Sequence, residues 1–370
     1  MILFNFSFYT IVCAVFIILF GNKEKASARA GIIVYTILIV IWLWAVLSFR
    51  EPSGDPWRYM LNLHYIANLS FVELLHYDKD PFGFSLLNWF TSKINVDSAL
   101  FFSIVYFFCV IPLYLAFRER FNKIDAAILI MLYLLYPFYI NYLASGFKQG
   151  IAFGFMLWGL NCILDRSDPK WKKGIILLFT ATLFHQSFWL ANIAFTAWYF
   201  IYRKRPLNWA LSTLGVCIIL AMIGASEPII SIILPQDIIK NLGFSTYFDQ
   251  DFLNSDEYLS VGYNSGFRID FTIFTLIPLF IIIILNKNKK NNNNSLDLIK
   301  YYCILASAYF LMVFIPYSDR IAGFSWFLIP FLFFTYLNTQ KLAKYRNFFV
   351  SFLFILYPIL MISYIKTFFL

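Results

Sequence analysis

Charged side chains are scarce in this sequence, 13% of its 370 residues against 61% hydrophobic. That balance excludes a water-soluble globule, because too few polar groups exist to cover its surface. Cysteine is sparse too. Cys13, Cys109, Cys162, Cys217 and Cys303 all fall inside apolar runs, where a thiol acts as a small core hydrophobe rather than as part of a disulfide framework. The only histidines are His64, His76 and His185, with no H-E-x-x-H or other ligand spacing, so neither a metal nor a cofactor is expected. A Gly-rich phosphate loop and a G-x-S-x-G elbow are also missing, which argues against a primary pump or a nucleotide-sugar synthase. The net charge of +9 is not gathered into a compact basic domain, so nucleic acid is not an expected partner.

What the sequence has in abundance is apolar runs of a length suited to the hydrocarbon core of a bilayer. Twelve recur: Ile2–Phe20, Gly31–Phe49, Ser98–Phe117, Asp125–Leu143, Phe147–Leu164, Gly174–Phe184, Ser187–Tyr202, Leu207–Ala225, Phe267–Leu285, Leu298–Pro316, Ile321–Asn338 and Phe348–Ile365. The expectation is an all-α polytopic integral membrane protein, one membrane domain over 1–370 with about twelve transmembrane helices. The first run lacks a basic n-region and an A-x-A site, so it is expected to be retained. The stretch Gly174–Tyr202 is flanked by WKK and RKR, and the positive-inside rule puts both flanks in the cytoplasm. It is therefore read as a hairpin with its tip at His185, Gln186 and Ser187.

With both termini outside, the six cytoplasmic loops hold 20 of the 29 basic residues and six acids, Glu24, Glu119, Asp125, Asp165, Asp168 and Asp297. That side then carries +14 and the outer side −5, an asymmetry that supports this topology. Two outer loops, 50–97 and 226–268, are long enough to hold structure, and function is expected on the face they cap. In the first, Asp55 is placed as the cap of a helix beginning at Pro56. Leu61, Tyr65, Ile66, Leu69 and Val72 recur at helical spacing, as in a helix lying along a membrane surface. A second amphipathic stretch, PFGFSLLNWF, follows. In the other loop, Tyr247, Tyr258 and Tyr263 with Asp249, Asp251, Asp256 and Glu257 have the mixture of a glycan groove or of a folded polar loop.

Nine basic residues lie outside against the orientation bias: Arg50, Arg58, Lys79, Lys93, Lys148, Lys240, Arg268, Arg320 and Lys366. Lys148, Arg268 and Arg320 each fall near the first turn of an inward-running helix, where the helix dipole disfavours a cation unless an anion is present. A shared anion site is one reading. The other is local pairing, Arg268 with Asp270 and Arg320 with Asp319, with Lys148 reaching to the interface. Gly146, Gly150 and Gly154 put a bare face on the Lys148 helix, read as close helix packing or as room for a ligand. His185 reads either as a structural residue or as a general base.

The order of these residues resembles the EpsG-like and Wzy-type family of bacterial polysaccharide polymerases over most of the chain. The resemblance rests on Arg50, Gly54, Asp55 and Tyr59, then Asp80 before PFGFSLLNWF. Lys148-Gln149 stands where the family has Arg-Gln, followed by Phe184-His185, and by Arg320 with Phe324 and Pro330. It implies a membrane glycosyltransferase joining oligosaccharide repeat units carried on undecaprenyl diphosphate, with its site outside. Donor and acceptor lipid-linked glycans and the bilayer are then the partners, with a chain-length regulator as a further candidate. Arg268, Arg320, Lys148 and Arg50 are assigned to the diphosphate, His185 or Asp55 to the base, and Tyr59, Arg58, Asp80 and Gln149 to substrate. The competing classes are an O-antigen ligase-type or acyl transferase, a lipid-linked glycan flippase or transporter, and a non-catalytic assembly protein. Ionisable residues at span ends rather than mid-span favour outer-face chemistry over transport.

Overall fold

The computed structural model describes residues 2–20, 26–165, 168–233, 265–286, 293–338 and 343–368, and every regular element among them is helical. The first ten helices are α1 (Ile2–Phe20), α2 (Ala26–Ser48), α3 (Asp55–Ala67), α4 (Phe71–Leu75), α5 (Phe82–Ile94), α6 (Ser98–Arg120), α7 (Lys123–Leu134), α8 (Pro137–Ala144), α9 (Phe147–Leu164) and α10 (Trp171–Phe184). After them come α11 (Phe188–Ala197), prolonged by a π turn over Trp198–Tyr202, α12 (Leu207–Met222), α13 (Ser226–Ile233), α14 (Ile269–Asn286), α15 (Asn293–Leu311), α16 (Asp319–Trp326), α17 (Ile329–Leu337) and α18 (Ala343–Phe368).

Each of the twelve apolar runs contains helix, and the protein is a helical membrane protein. Among the described residues four helices are long and apolar enough to cross a bilayer, Ser27–Ser48, Ser98–Arg120, Phe147–Leu164 and Asp319–Leu337, or six if two bent pairs each count once. Twelve full-length spans are not reached. The 14 residues of α10 rise only about 21 Å, short of the roughly 30 Å hydrocarbon core. The run Asp125–Leu143, expected as one span, is broken between α7 and α8 with a 73° bend. Pro137 supplies the cause: it has no N–H for the helix ladder and disfavours helical geometry in the residue before it. The run Leu207–Ala225 likewise ends at Met222, where Gly224, at φ 72°, turns the chain into α13.

The chain forms two compact units, Met1–His185 with Leu337–Leu370, and Gln186–Tyr336. In the first unit, side-chain contacts fix the helix directions. Tyr9 meets Trp42 and Phe16 meets Tyr35, so α1 and α2 are antiparallel. Trp44 bonds Ser103 and Tyr106 bonds the Val40 carbonyl, so α2 and α6 are antiparallel too. Phe102 meets Phe147 and Asn161 bonds the Ala116 carbonyl, making α6 and α9 parallel. Phe155 stacks on Phe184 while Gly159 abuts Gly174, which sets α10 antiparallel to α9. The end of α2, the starts of α6 and α9 and the end of α10 therefore share one end of the unit. This alternation matches the topology expected from charge.

Glycine makes the α6–α9 contact close. A Cβ on Gly150 would stand 2.9 Å from Cys109 Sγ, and one on Gly154 would stand 3.0 Å from Pro112 Cβ and 3.2 Å from the Leu113 nitrogen. Helix packing thus accounts for these two glycines. At the opposite end, Glu119 takes Lys170 at 2.7 Å, Lys173 at 2.5 Å and the Trp158 indole at 3.0 Å. There too, buried Asp125 pairs with buried Arg346 at 2.9 Å and accepts from Asn122 and Asn338. In the second unit, Arg203 lies 3.8 Å from buried Asp297, and Lys300 donates to the Arg203 carbonyl.

Candidate functional site

At the shared end of the first unit, Arg50 follows α2 and donates through its Nη2 to the carbonyl of Ala144, the last residue of α8. A helix C-terminus carries partial negative charge, so this is a favourable place for a cation. The guanidinium also lies 5.6 Å from the Phe102 ring centroid. Its Nε is buried with no hydrogen-bond partner, and among the described residues no carboxylate pairs with it. Burial lowers its pKa to about 10, so it remains cationic at neutral pH.

Lys148 occupies the first turn of α9, the unfavourable end of the dipole. The anion it requires is Asp80, whose Oδ1 accepts from Nζ at 2.8 Å, with side chains 22% and 10% exposed. The dipole penalty, roughly 0.3–1 kcal/mol, is smaller than the roughly 1.5–3 kcal/mol of a hydrogen bond between charged groups. Pairing therefore wins, with a carboxylate 68 positions away rather than by reach to the interface. The ammonium is enclosed by the rings of Tyr59, 5.4 Å away, and Phe84, 5.7 Å away, and Tyr59 also packs on Phe147. Gln149, next along α9, is half-buried and folds its Oε1 back over Gly146, where it would stand 2.7 Å from an added Cβ.

Asp80 is held from its other side as well. Its Oδ2 accepts from Asn62 Nδ2, and Asn62 Oδ1 accepts from the Tyr77 hydroxyl at 2.5 Å. Burial, reinforced by the charge of Asp80, pushes the Tyr77 phenol up to about 12, so it stays a proton donor. Neither Asn62 nor Tyr77 stood out in the sequence.

His185 ends α10 at this same end, half-buried, with its N–H bonded to the Ala181 carbonyl at 3.1 Å. The approach to it is fixed by Gly83, where a Cβ would stand 2.9 Å from the Leu183 carbonyl oxygen. Asp55 departs from expectation. It is the first helical residue of α3 rather than its cap; the cap is Gly54, at φ 61° and ψ −131°, and no side chain bonds the helix start. A left-handed φ suits glycine, and Asp55 turns instead to Arg58 at 3.7 Å, both well exposed. In α3, Met60, Leu63 and Ile66 face inward, while Trp57, Leu61 and Tyr65 form an exposed apolar face.

In the second unit, Arg268 immediately precedes α14 and is bound bidentately by Asp270 at 3.1 and 2.5 Å, over the Phe271 ring. This is the local pairing open to it from sequence. Arg320 is exposed on the first turn of α16 and lies 5.1 Å from the Tyr317 ring centroid. Tyr317 holds a left-handed φ of 57°. A bond of 2.8 Å from Gly266 N to the Val313 carbonyl, together with Phe271 against Trp326, puts both arginines at one end of this unit. Tyr247, Tyr258, Tyr263, Asp249, Asp251, Asp256 and Glu257 lie outside the described residues.

Three positions from distant parts of the chain, Tyr59, Asp80 and Lys148, thus converge, with Arg50 and His185 at the same end. Neither a curated protein nor a solved structure matches the chain. The model of the EpsG family matches residues 32–369, a range that takes in every residue of this cluster. On that match the chain belongs to the EpsG family, which is associated with polysaccharide biosynthesis.

Proposed function

We propose that the protein is a glycosyltransferase that polymerises undecaprenyl-diphosphate-linked oligosaccharide repeats on the outer side of the bacterial cytoplasmic membrane. One observation carries this reading: Arg50 is a half-buried cation whose partner is a neutral carbonyl and whose buried Nε has none. A fixed guanidinium of this kind, at the end of a membrane helix, suits the diphosphate of a lipid carrier. Lys148, at the same end of the first unit, adds charge, and Arg268 and Arg320 are the diphosphate candidates of the second unit. His185 takes the proton of the acceptor sugar hydroxyl. The oxygen then attacks the anomeric carbon of the donor, and the bond from that carbon to the diphosphate oxygen breaks, releasing undecaprenyl diphosphate. Asp55, exposed and turned to Arg58, is the weaker candidate for the base. Tyr59, Arg58, Asp80 and Gln149 are left to position glycan.

Purified protein incubated with lipid-linked repeat units should give a ladder of products. A single addition to a different acceptor would mark a ligase, and repeats moved across vesicles without elongation would mark a flippase. In the pH–rate profile, a limb in the histidine range should vanish in His185→Ala and persist in Asp55→Asn. Persistence in both would remove His185 from the role.

A further inference from the structure

Tyr77, Asn62, Asp80 and Lys148 form one hydrogen-bonded chain whose directions are fixed by chemistry. The Tyr77 hydroxyl can satisfy Asn62 Oδ1 only as a donor, at 2.5 Å. That orients the amide so that Nδ2 faces Asp80 Oδ2, and Oδ1 of the same carboxylate holds Lys148 at 2.8 Å. Without Tyr77 the amide oxygen loses its donor, and Asp80 alone is left to hold the amide in place. Asp80 therefore has two holders, one cationic and one neutral. Loss of the first leaves it still bonded by the second.

We propose that Asp80 is an exchangeable internal anion: it occupies Lys148 in the empty site, and a diphosphate takes Lys148 from it while Asn62, oriented by Tyr77, retains the released carboxylate. Asn62 and Tyr77 are thus positioning residues that set the anion affinity of the site. The inference rests on the diphosphate reading of this cluster, and it adds a prediction of sign. Removing the competing carboxylate should tighten anion binding, whereas removing its neutral holder should weaken it, because the released Asp80 then has nowhere to go.

The test is calorimetric titration of detergent-purified full-length protein with inorganic pyrophosphate in metal-free buffer, which needs no glycan and no turnover. Asp80→Asn should bind about tenfold more tightly than the parent, and Asn62→Ala and Tyr77→Phe several-fold more weakly, about the net worth of one hydrogen bond. Asn62→Asp, which sets a second carboxylate beside the first, should weaken binding most. A merely structural role would move all the variants in one direction, so uniform weakening overturns the proposal, as does failure of both the parent and Asp80→Asn to bind. Opposite signs sustain it even if no polymer ladder forms, in which event the polymerase reading fails and the anion exchange stands.

Discussion

Arg50 and Lys148 differ in what an arriving anion has to displace. At Lys148 a carboxylate must leave first, but at Arg50 nothing charged stands in the way. Arg50 should therefore dominate the electrostatics of turnover. Arg50→Lys keeps the charge but loses the planar fork, and it should lower the polymerisation rate by about 10²- to 10³-fold while leaving the melting temperature near that of the parent. Full polymer length in this variant would remove Arg50 from the diphosphate. Gly83→Ala tests the packing beside His185. Its methyl would meet the Leu183 carbonyl, backbone that cannot step aside, so a loss of about 1–3 kcal/mol in stability is expected by thermal melting. An unchanged melt would mean α5 shifts freely. The sequence marked Tyr59, Asp80 and Lys148 individually through motif order, but not the Asp80–Lys148 bond, because 68 residues separate the partners and no local pattern joins them. Asn62 and Tyr77 carry no signal at all. An asparagine within a helix and a tyrosine in a loop acquire meaning only through tertiary contact. Asp55 was misplaced because capping rules weigh side-chain oxygens, whereas here a left-handed glycine made the turn.

Among the elements, long uninterrupted helices were legible and breaks were not. Ile2–Phe20 and Phe147–Leu164 emerge with the bounds their apolar runs suggest. Hydropathy averages across Pro137, however, and so hid the 73° bend that carries the end of α8 to Arg50. That bend matters to the site, since Ala144 presents its carbonyl only where α8 stops. The last helix is held to α7 by Asp125 and Arg346, both buried and with Asn122 and Asn338 completing the carboxylate's bonds. Removing one partner of such a pair is costlier than the pair is worth. Arg346→Met should lose about 3–5 kcal/mol in thermal melting, and Asp125→Asn combined with Arg346→Met should recover part of it. If the double variant is as unstable as the sum of the singles, the two side chains do not act as a pair.

For the whole molecule, charge asymmetry was the most informative property of the sequence, because a rule about loops needs no knowledge of packing. Each ion pair described above joins residues assigned to one side: Lys148 with Asp80, Asp55 with Arg58 and Arg268 with Asp270 on the outer side; Glu119 with Lys170 and Lys173, Asp125 with Arg346 and Arg203 with Asp297 on the inner. The number of full spans was less legible, since short helices such as α10 satisfy an apolar pattern without the length to cross alone. Cysteine labelling puts the arrangement to trial. In a background without the five native cysteines, single cysteines at Lys172, His185 and Lys204 would be exposed to an impermeant thiol reagent in intact cells. Only the one at position 185 should react, and those at 172 and 204 should react once the membrane is opened. Reaction at 204 in intact cells would mean that the chain does not return to the cytoplasm after His185. The run from Gly174 to Tyr202 would then be a single crossing, and every loop from Arg203 onward would change sides. Arg268 and Arg320 would move to the cytoplasm with them and be lost to an outer diphosphate.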